Sequence, residues 1–287
     1  MIDAFLFAGL ASVCFGAALV LTKFGLQDMH PMAGALVSIP AATVLFWCFA
    51  PLMLEQTEWI FQAIGIFAVV GLFYPAMVTV LVYEANLRMG PTIAATISSI
   101  TPLFAIIGAL LFLNETLTPH ILSGTVGIVA GLMLISRHRT NQRQTWPKVA
   151  VLFPLGAAFI RGGAQTLAKM GLEIQPTPYL AGLIGYTTSV FSILLVSHFR
   201  IGLGNMAFTR RGILWFMSVG AANGSAVLLL YLALKTGNVV TVAPIAATFP
   251  LFTLLFSLLF FRREKITLRT IGGVALVVGG VVLISLN

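Results

Sequence analysis

The stretch TPLFAIIGALLFLNETLT, residues 101–118, returns near the C-terminus as FPLFTLLFSLLFFRREKIT, residues 249–267. Pro102, Leu103 and Phe104 align with Pro250, Leu251 and Phe252 at one offset. After a shift of one residue, Glu115 and Thr118 align with Glu264 and Thr267. The match extends upstream, where Tyr83 and Ala85 meet Tyr231 and Ala233, and downstream, where Gly131, Leu134, Ile135 and Ser136 meet Gly280, Leu283, Ile284 and Ser285. The starts of two halves also correspond. Gly16, Ala18, Leu21, Lys23, Gly25 and Leu26 pair with Gly162, Ala164, Leu167, Lys169, Gly171 and Leu172. Apolar helices resemble one another by chance, so the matched Lys, Glu, Pro and Tyr positions carry the reading. The chain is a tandem repeat with halves 1–140 and 141–287.

The solvent for these halves follows from composition. Of 287 residues, 59% are hydrophobic and 8% charged, against about 45–50% and about 25% in average soluble domains. So few charges cannot cover a soluble fold of this size, and lipid is the expected surroundings. Ten apolar stretches are long enough to cross a bilayer as helices: approximately 4–27, 32–54, 59–83, 91–113, 118–136, 148–171, 179–199, 212–234, 239–261 and 267–286. These are spans 1 to 10. Turn chemistry separates them, as in Asp28-Met29-His30-Pro31 and Thr236-Gly237-Asn238. The first apolar run is too long for a cleavable signal and has Asp3 where a signal carries basic residues, so it reads as span 1.

The net charge of +8 reads as topology. Loops after odd spans hold Arg88, Arg137, Arg139, Arg143, Lys148, Arg200, Arg210, Arg211, Arg262, Arg263, Lys265 and Arg269; the other side has Lys235 alone. The positive-inside rule then places both termini outside and the Arg137–Lys148 loop in the cytoplasm. Trp59, Trp146 and Trp215 fall near predicted span ends, where indole rings are enriched. No basic stripe with interleaved aromatics points to nucleic acid. Cys14 and Cys48 lie inside apolar runs and have no metal-ligand spacing.

Five spans per half is an odd number, so the second half must enter the membrane upside down. Inverted repeats are the architecture of many secondary transporters, whose halves rock about a central site. The expected fold is therefore an all-α membrane protein of two inverted five-helix repeats.

The segments Tyr83-Glu84-Ala85-Asn86-Leu87-Arg88, Thr101-Pro102 and Asn114-Glu115-Thr116-Leu117-Thr118, with their copies Tyr231-Leu232-Ala233-Leu234-Lys235, Phe249-Pro250 and Arg263-Glu264-Lys265-Ile266-Thr267, resemble the EamA family of the drug/metabolite transporter superfamily. The resemblance covers nearly the whole chain. It implies five plus five spans and a central cavity lined mainly by spans 1, 3, 4, 6, 8 and 9, with spans 5 and 10 peripheral. Members move amino acids, other metabolites, nucleotide sugars or sugar phosphates. One departure is the loop after span 2, often basic in the family but here Glu55-Gln56-Thr57-Glu58. Many relatives are drawn with cytoplasmic termini, opposite to the charge count of this chain.

An ionisable group at the bilayer centre costs about 2.5–3.5 kcal/mol on insertion scales, so the few polar residues inside spans are the candidate site. Arg161 lies near the middle of span 6. Its planar fork suits a carboxylate or phosphate; the bland reading is a partner for helix-end carbonyls or Glu84. Gln165 is one helical turn from both Arg161 and Lys169, so the three share a face. Lys23 and Lys169 are repeat mates and read equally as substrate contacts or as snorkelling cations. Tyr83, Glu84 and Asn86 end span 3, and Tyr231 and Lys235 end span 8. The tyrosines read as substrate contacts or interfacial anchors. Glu84 is the candidate for proton coupling, with pairing to Arg88 as the bland alternative. Asn223 must hydrogen-bond a neighbouring helix or a ligand. Ser98, Ser99, Thr101 and Thr248 precede Pro102 and Pro250; the bland reading is hydroxyl repair of carbonyls that a proline frees, and the sharper one is a pair of cavity-lining hinges with Ser98, Ser99 and Thr248 as substrate contacts.

Nothing in the chain resembles a nucleotide-binding loop, a zinc-binding His-Glu-x-x-His motif or a catalytic triad, so no catalytic residue, metal or cofactor is expected. The expected partners are a small-molecule substrate and the lipid bilayer of a bacterial-type plasma membrane, with no nucleic acid, the chain acting as a monomer or homodimer. The first reading is a secondary transporter, an exporter of a small metabolite such as an amino acid or related organic anion. A membrane-embedded enzyme, a lipid-handling scaffold or a passive channel are the alternatives.

Overall fold

The structure, a computed structural model, describes residues 2–54, 59–137, 147–200, 207–261 and 268–286. Within them the chain forms helices and no strand. The helices are α1 (Ile2–Gly25), α2 (Pro31–Met53), α3 (Phe61–Phe73), α4 (Ala76–Met89), α5 (Pro91–Ser98), α6 (Thr101–Phe112), α7 (Pro119–Arg137), α8 (Leu152–Ile174), α9 (Pro178–Arg200), α10 (Arg210–Thr236), α11 (Val239–Ala246), α12 (Phe249–Phe261) and α13 (Leu268–Ser285). A 3₁₀ turn, Lys148–Val151, leads into α8. Spans 3, 4 and 9 are each two helices in line, which returns the ten spans. Among the described residues nine are long and apolar enough to cross a membrane, and the remaining one, Pro119–Ile135, is shorter. Their outer faces carry large bare apolar side chains, such as Leu111, Phe159, Phe191 and Leu259. This is the surface of an integral membrane protein, for which lipid replaces water.

The breaks place irregular backbone in the bundle interior, where every freed polar group needs a partner. At the α3–α4 break, Ser189 Oγ donates to Gly71 O at 2.5 Å and accepts from Ala76 N at 3.3 Å, and Ser192 Oγ donates to Leu72 O. The sequence reading missed this break and ended span 3 at residue 83; the helix runs on to Met89. At the α5–α6 break, Ser99 Oγ donates to Thr96 O and Thr101 Oγ1 to Ser98 O, both at 2.6 Å. At the α11–α12 break, Thr248 Oγ1 donates to Ile245 O at 2.8 Å and to Ser12 Oγ at 3.2 Å. Pro102 and Pro250 stand second in α6 and α12, where their missing N–H leaves no carbonyl wanting. The hydroxyls therefore cap the breaks themselves, which corrects the expectation that they repair carbonyls freed by the two prolines.

Packing follows the repeat. α1 lies on α10 and α12; its counterpart α8 lies on α3–α4 and α6. Repeat mates even make equivalent close approaches. A Cβ at Gly16 would meet Phe252 Cβ at 2.7 Å, and one at Gly162 would meet Phe104 Cβ at 2.6 Å. α7 and α13 pair with each other through Gly124, Gly131, Gly273 and Gly280, each facing backbone carbonyl oxygen across the seam. They stand apart from the central cavity, as expected of spans 5 and 10.

Several sequence features lie outside the described residues: the acidic loop 55–58, most of the basic loop including Arg139, Arg143 and Trp146, and the segment 262–267 with Glu264.

Candidate functional site

Two cavities meet at Arg161. The larger holds about 580 Å³ of empty space including its mouth and runs from Arg161 along α1, α4 and α5 toward the end where α4 gives way to α5. Its wall includes Phe15, Ala18, Leu19 and Thr22 of α1, Tyr74 and Pro75 at the α3–α4 break, Val78, Val82 and Tyr83 of α4, and Ala95 and Ser98 of α5. Arg161, Tyr186, Asn223, Val227 and Phe249 close it from α8, α9, α10 and α12. The smaller, about 220 Å³, lies between Phe15, Thr101, Arg161, Gln165, Ala246, Ala247 and Phe249. Phe15, Arg161 and Phe249 belong to both and form the partition.

The partition has a simple geometry. The Arg161 guanidinium carbon stands 5.2 Å from the centre of the Phe15 ring and 5.5 Å from that of Phe249. Both fall within cation–π range, worth about 0.5–2 kcal/mol each depending on desolvation. Phe15 is the repeat mate of Arg161, one residue before the matched Gly16 and Gly162. Two residues related by a two-fold axis can touch only where both lie close to it. Arg161 therefore sits close to the pseudo-axis that relates the two halves.

Beyond these rings, Arg161 has no carboxylate partner among the described residues. Among the described residues Arg161 makes no hydrogen bond or ion pair, and its buried Nε has no acceptor. The hydroxyls of Tyr74 and Tyr186, both residues 2% exposed and both on the cavity wall, are likewise buried without a partner. Gln165 Oε1 is unpartnered on the smaller cavity. Arg161 and two phenols on the larger cavity, and an amide on the smaller one, thus keep unused hydrogen-bonding capacity between apolar walls. Unsatisfied buried groups each cost about 1–3 kcal/mol, and a ligand or water that fills them recovers it.

The other candidates divide. Tyr83, Ser98 and Asn223 line the larger cavity with Arg161, and Tyr83 Oη donates to Ser38 Oγ at 2.8 Å. Ser99, Thr248 and Tyr231 are buried but stand off both cavity walls. Asn86 is buried and donates to Leu19 O at 3.4 Å, also off the wall. Lys23 is half-buried near the end of α1 and away from the cavities. Lys169, on the same helix stripe as Arg161, turns away: its Nζ donates to Leu234 O at 2.9 Å and Gly237 O at 3.1 Å, completing the C-terminal turn of α10. Glu84 accepts from Arg88 Nε at 2.9 Å at the helix surface and does not reach the cavity.

Glu115 takes a part the repeat motif did not reveal. Its two carboxylate oxygens accept from Val239 N at 2.8 Å and Val240 N at 2.9 Å, the first N–H groups of α11. An anion at a helix N-terminus and a cation at a helix C-terminus both complement the helix dipole. Glu115 and Lys169 thus clamp the α10–α11 turn from its two sides, on the face opposite the larger cavity. Tyr74 and Tyr186 were also missed. The chain has five tyrosines, and that scarcity, with Tyr74 directly before Pro75, was the available signal.

A model of the EamA-like transporter family matches residues 3–137 and again 148–286. A solved structure described only as "Crystal structure of protein" superposes with a TM-score of 0.77, covering 100% of this chain and 97% of that one at 14% identity. That likeness shows a shared fold. No curated protein matches the chain.

Proposed function

The chain belongs to the EamA-like transporter family, and on that premise we propose that it is a secondary active transporter, an exporter of a small metabolite such as an amino acid or related organic anion, working by alternating access. The observation that carries the reading is Arg161 against its own repeat mate Phe15, at 5.2 Å, with no counter-ion among the described residues. A binding group at the pseudo-axis serves an inward and an outward state alike, because inversion of the two halves leaves it in place. The partition at Arg161 supports a gated carrier over an open channel, since each of the two cavities among the described residues ends at it. The larger cavity runs toward the arginine-rich face that includes Arg88, which the charge distribution assigns to the cytoplasm. Loading from that side fits export. Tyr83, Ser98 and Asn223 are the further substrate contacts of this reading.

The test is uptake and efflux in proteoliposomes with a metabolite panel, with and without a pH gradient. The expected result is saturable flux of an organic anion, reduced at least about a hundredfold in Arg161→Ala, the loss of a charge-assisted bidentate contact of about 3 kcal/mol. Undiminished flux in a folded Arg161→Ala protein overturns it.

A further inference from the structure

We infer that the site at Arg161 selects monocarboxylates with an uncharged, mainly apolar body, and discriminates against zwitterions and amines. This deepens the transport reading and rests on it: of the cargoes named there it keeps the organic anion and sets the amino acid aside. A carboxylate offers about four lone-pair sites on two oxygens. Arg161 presents its fork without a partner, and Tyr74 and Tyr186 present two buried hydroxyls without partners on the same wall. Two N–H and two O–H donors match that demand.

The absence of any acid from the cavity walls among the described residues supplies the selectivity. Among the described residues Asp3, Asp28, Glu84, Glu115 and Glu173 all stand toward helix ends, and none lines either cavity. Glu55, Glu58 and Glu264, the remaining three of the eight acids, fall in loops between the predicted spans. In an α-amino acid the ammonium sits two bonds from the carboxylate. Seating that carboxylate on Arg161 brings the ammonium within about 6 Å of the guanidinium, where like charges repel strongly in a low-dielectric site. An amine without a carboxylate meets the same repulsion with no anionic contact to offset it. Around the donors the wall is built from Ala18, Leu19, Val78, Val82, Ala95 and Val227, with the Phe15 and Phe249 rings at the partition. These fit an aliphatic or aromatic body. Thr22, Thr79, Ser98 and Asn223 are neutral and add room for a hydroxyl or carbonyl.

Three near-isosteres separate the charge states: 3-phenylpropanoate, phenylalanine and 2-phenylethylamine. Binding to the full-length purified protein is measured by calorimetry in detergent, and counterflow is measured separately in proteoliposomes. The expected order is 3-phenylpropanoate at least about tenfold tighter than phenylalanine, with no binding of the amine, in line with one uncompensated charge contact. The preference should vanish in Arg161→Gln. Tyr74→Phe with Tyr186→Phe, which removes only two hydroxyl oxygens, should weaken the carboxylate severalfold and serves as the second variant if Arg161→Gln does not fold. Phenylalanine binding as tightly as 3-phenylpropanoate overturns the selectivity while leaving anion transport standing. Binding of none of the three, or a preference unchanged in the variants, also overturns it. Carboxylate binding without counterflow upholds the site and overturns the transport reading alone.

Discussion

Arg161 and Lys169 show how far a single residue can be read. Both are cations inside span 6, two helical turns apart on one face. Sequence reading placed both on one polar face, with Lys169 near enough to a helix end to snorkel, and their surroundings separate them further. Arg161 points to a partition with no acceptor, whereas Lys169 donates to Leu234 O and Gly237 O. Which carbonyls a long side chain meets depends on the neighbouring helix, and no spacing within α8 encodes that. The same holds for Tyr74 and Tyr186, which have no motif and become functional candidates only when the α3–α4 break and α9 bring them together. Arg161 itself was legible because a charge at mid-span is expensive whatever surrounds it. The two cations should therefore respond oppositely to substitution. Lys169→Met is expected to lower stability by about 1–3 kcal/mol, the range for hydrogen bonds from a charged group, and to leave carboxylate affinity within about twofold. Arg161→Gln should do the reverse. Thermal melts and calorimetry on the same preparations check both, and a Lys169→Met protein with unchanged melting and lost affinity would return Lys169 to the binding site.

At the scale of elements, the repeat was readable through residues that cannot vary freely at close approaches. Gly16 and Gly162 touch Phe252 and Phe104, which are themselves repeat mates. The α3–α4 break was invisible for the opposite reason. Its counterpart region in α10 is continuous, so the repeat offered no hint, and the repairing hydroxyls of Ser189 and Ser192 come from α9. Close packing of small residues is what holds membrane helices together, since lipid supplies little hydrophobic drive between them. Gly162→Ala is expected to destabilise by about 1–3 kcal/mol, the overpacking range, because its Cβ would stand 2.6 Å from Phe104 Cβ and 2.8 Å from Ala105 N. Gly16→Ala should match it, against Phe252 Cβ at 2.7 Å and Thr253 N at 2.9 Å. Gly163→Ala is the internal control: one residue away, its Cβ meets nothing within 4 Å. Denaturation of the three variants in one detergent should leave Gly163→Ala at wild-type stability or above. Equal losses at all three positions would attribute the effect to the helix rather than to the contact.

For the whole molecule, the consequence of inverted halves is that the structure is asymmetric where the sequence is symmetric. Val82 lines the larger cavity and is partly exposed; its repeat mate Leu230 is 0% exposed on the other side of the pseudo-axis. Likewise α5 lends Ala95 and Ser98 to the cavity wall, while in α11 Val239, Val240, Val242, Ala243 and Ile245 are buried behind the turn clamped by Glu115 and Lys169. One repeat unit thus takes two environments in one structure. In a rocking mechanism the two environments exchange, and the differential affinity of substrate for the two states drives the population shift. With Cys14 and Cys48 replaced by serine, Val82→Cys should react with a membrane-impermeant maleimide applied to the arginine-rich face, and Leu230→Cys should react only from the opposite face. A saturating carboxylate trapped on one side should slow one reaction and accelerate the other, since protection of one half is exposure of its mate. Glu115→Ala loosens the clamp on the α10–α11 turn and should raise the Leu230→Cys rate without substrate. If both cysteines react from the same face, or Leu230→Cys never reacts under any gradient, the exchange of environments does not occur and the two halves are a fixed scaffold.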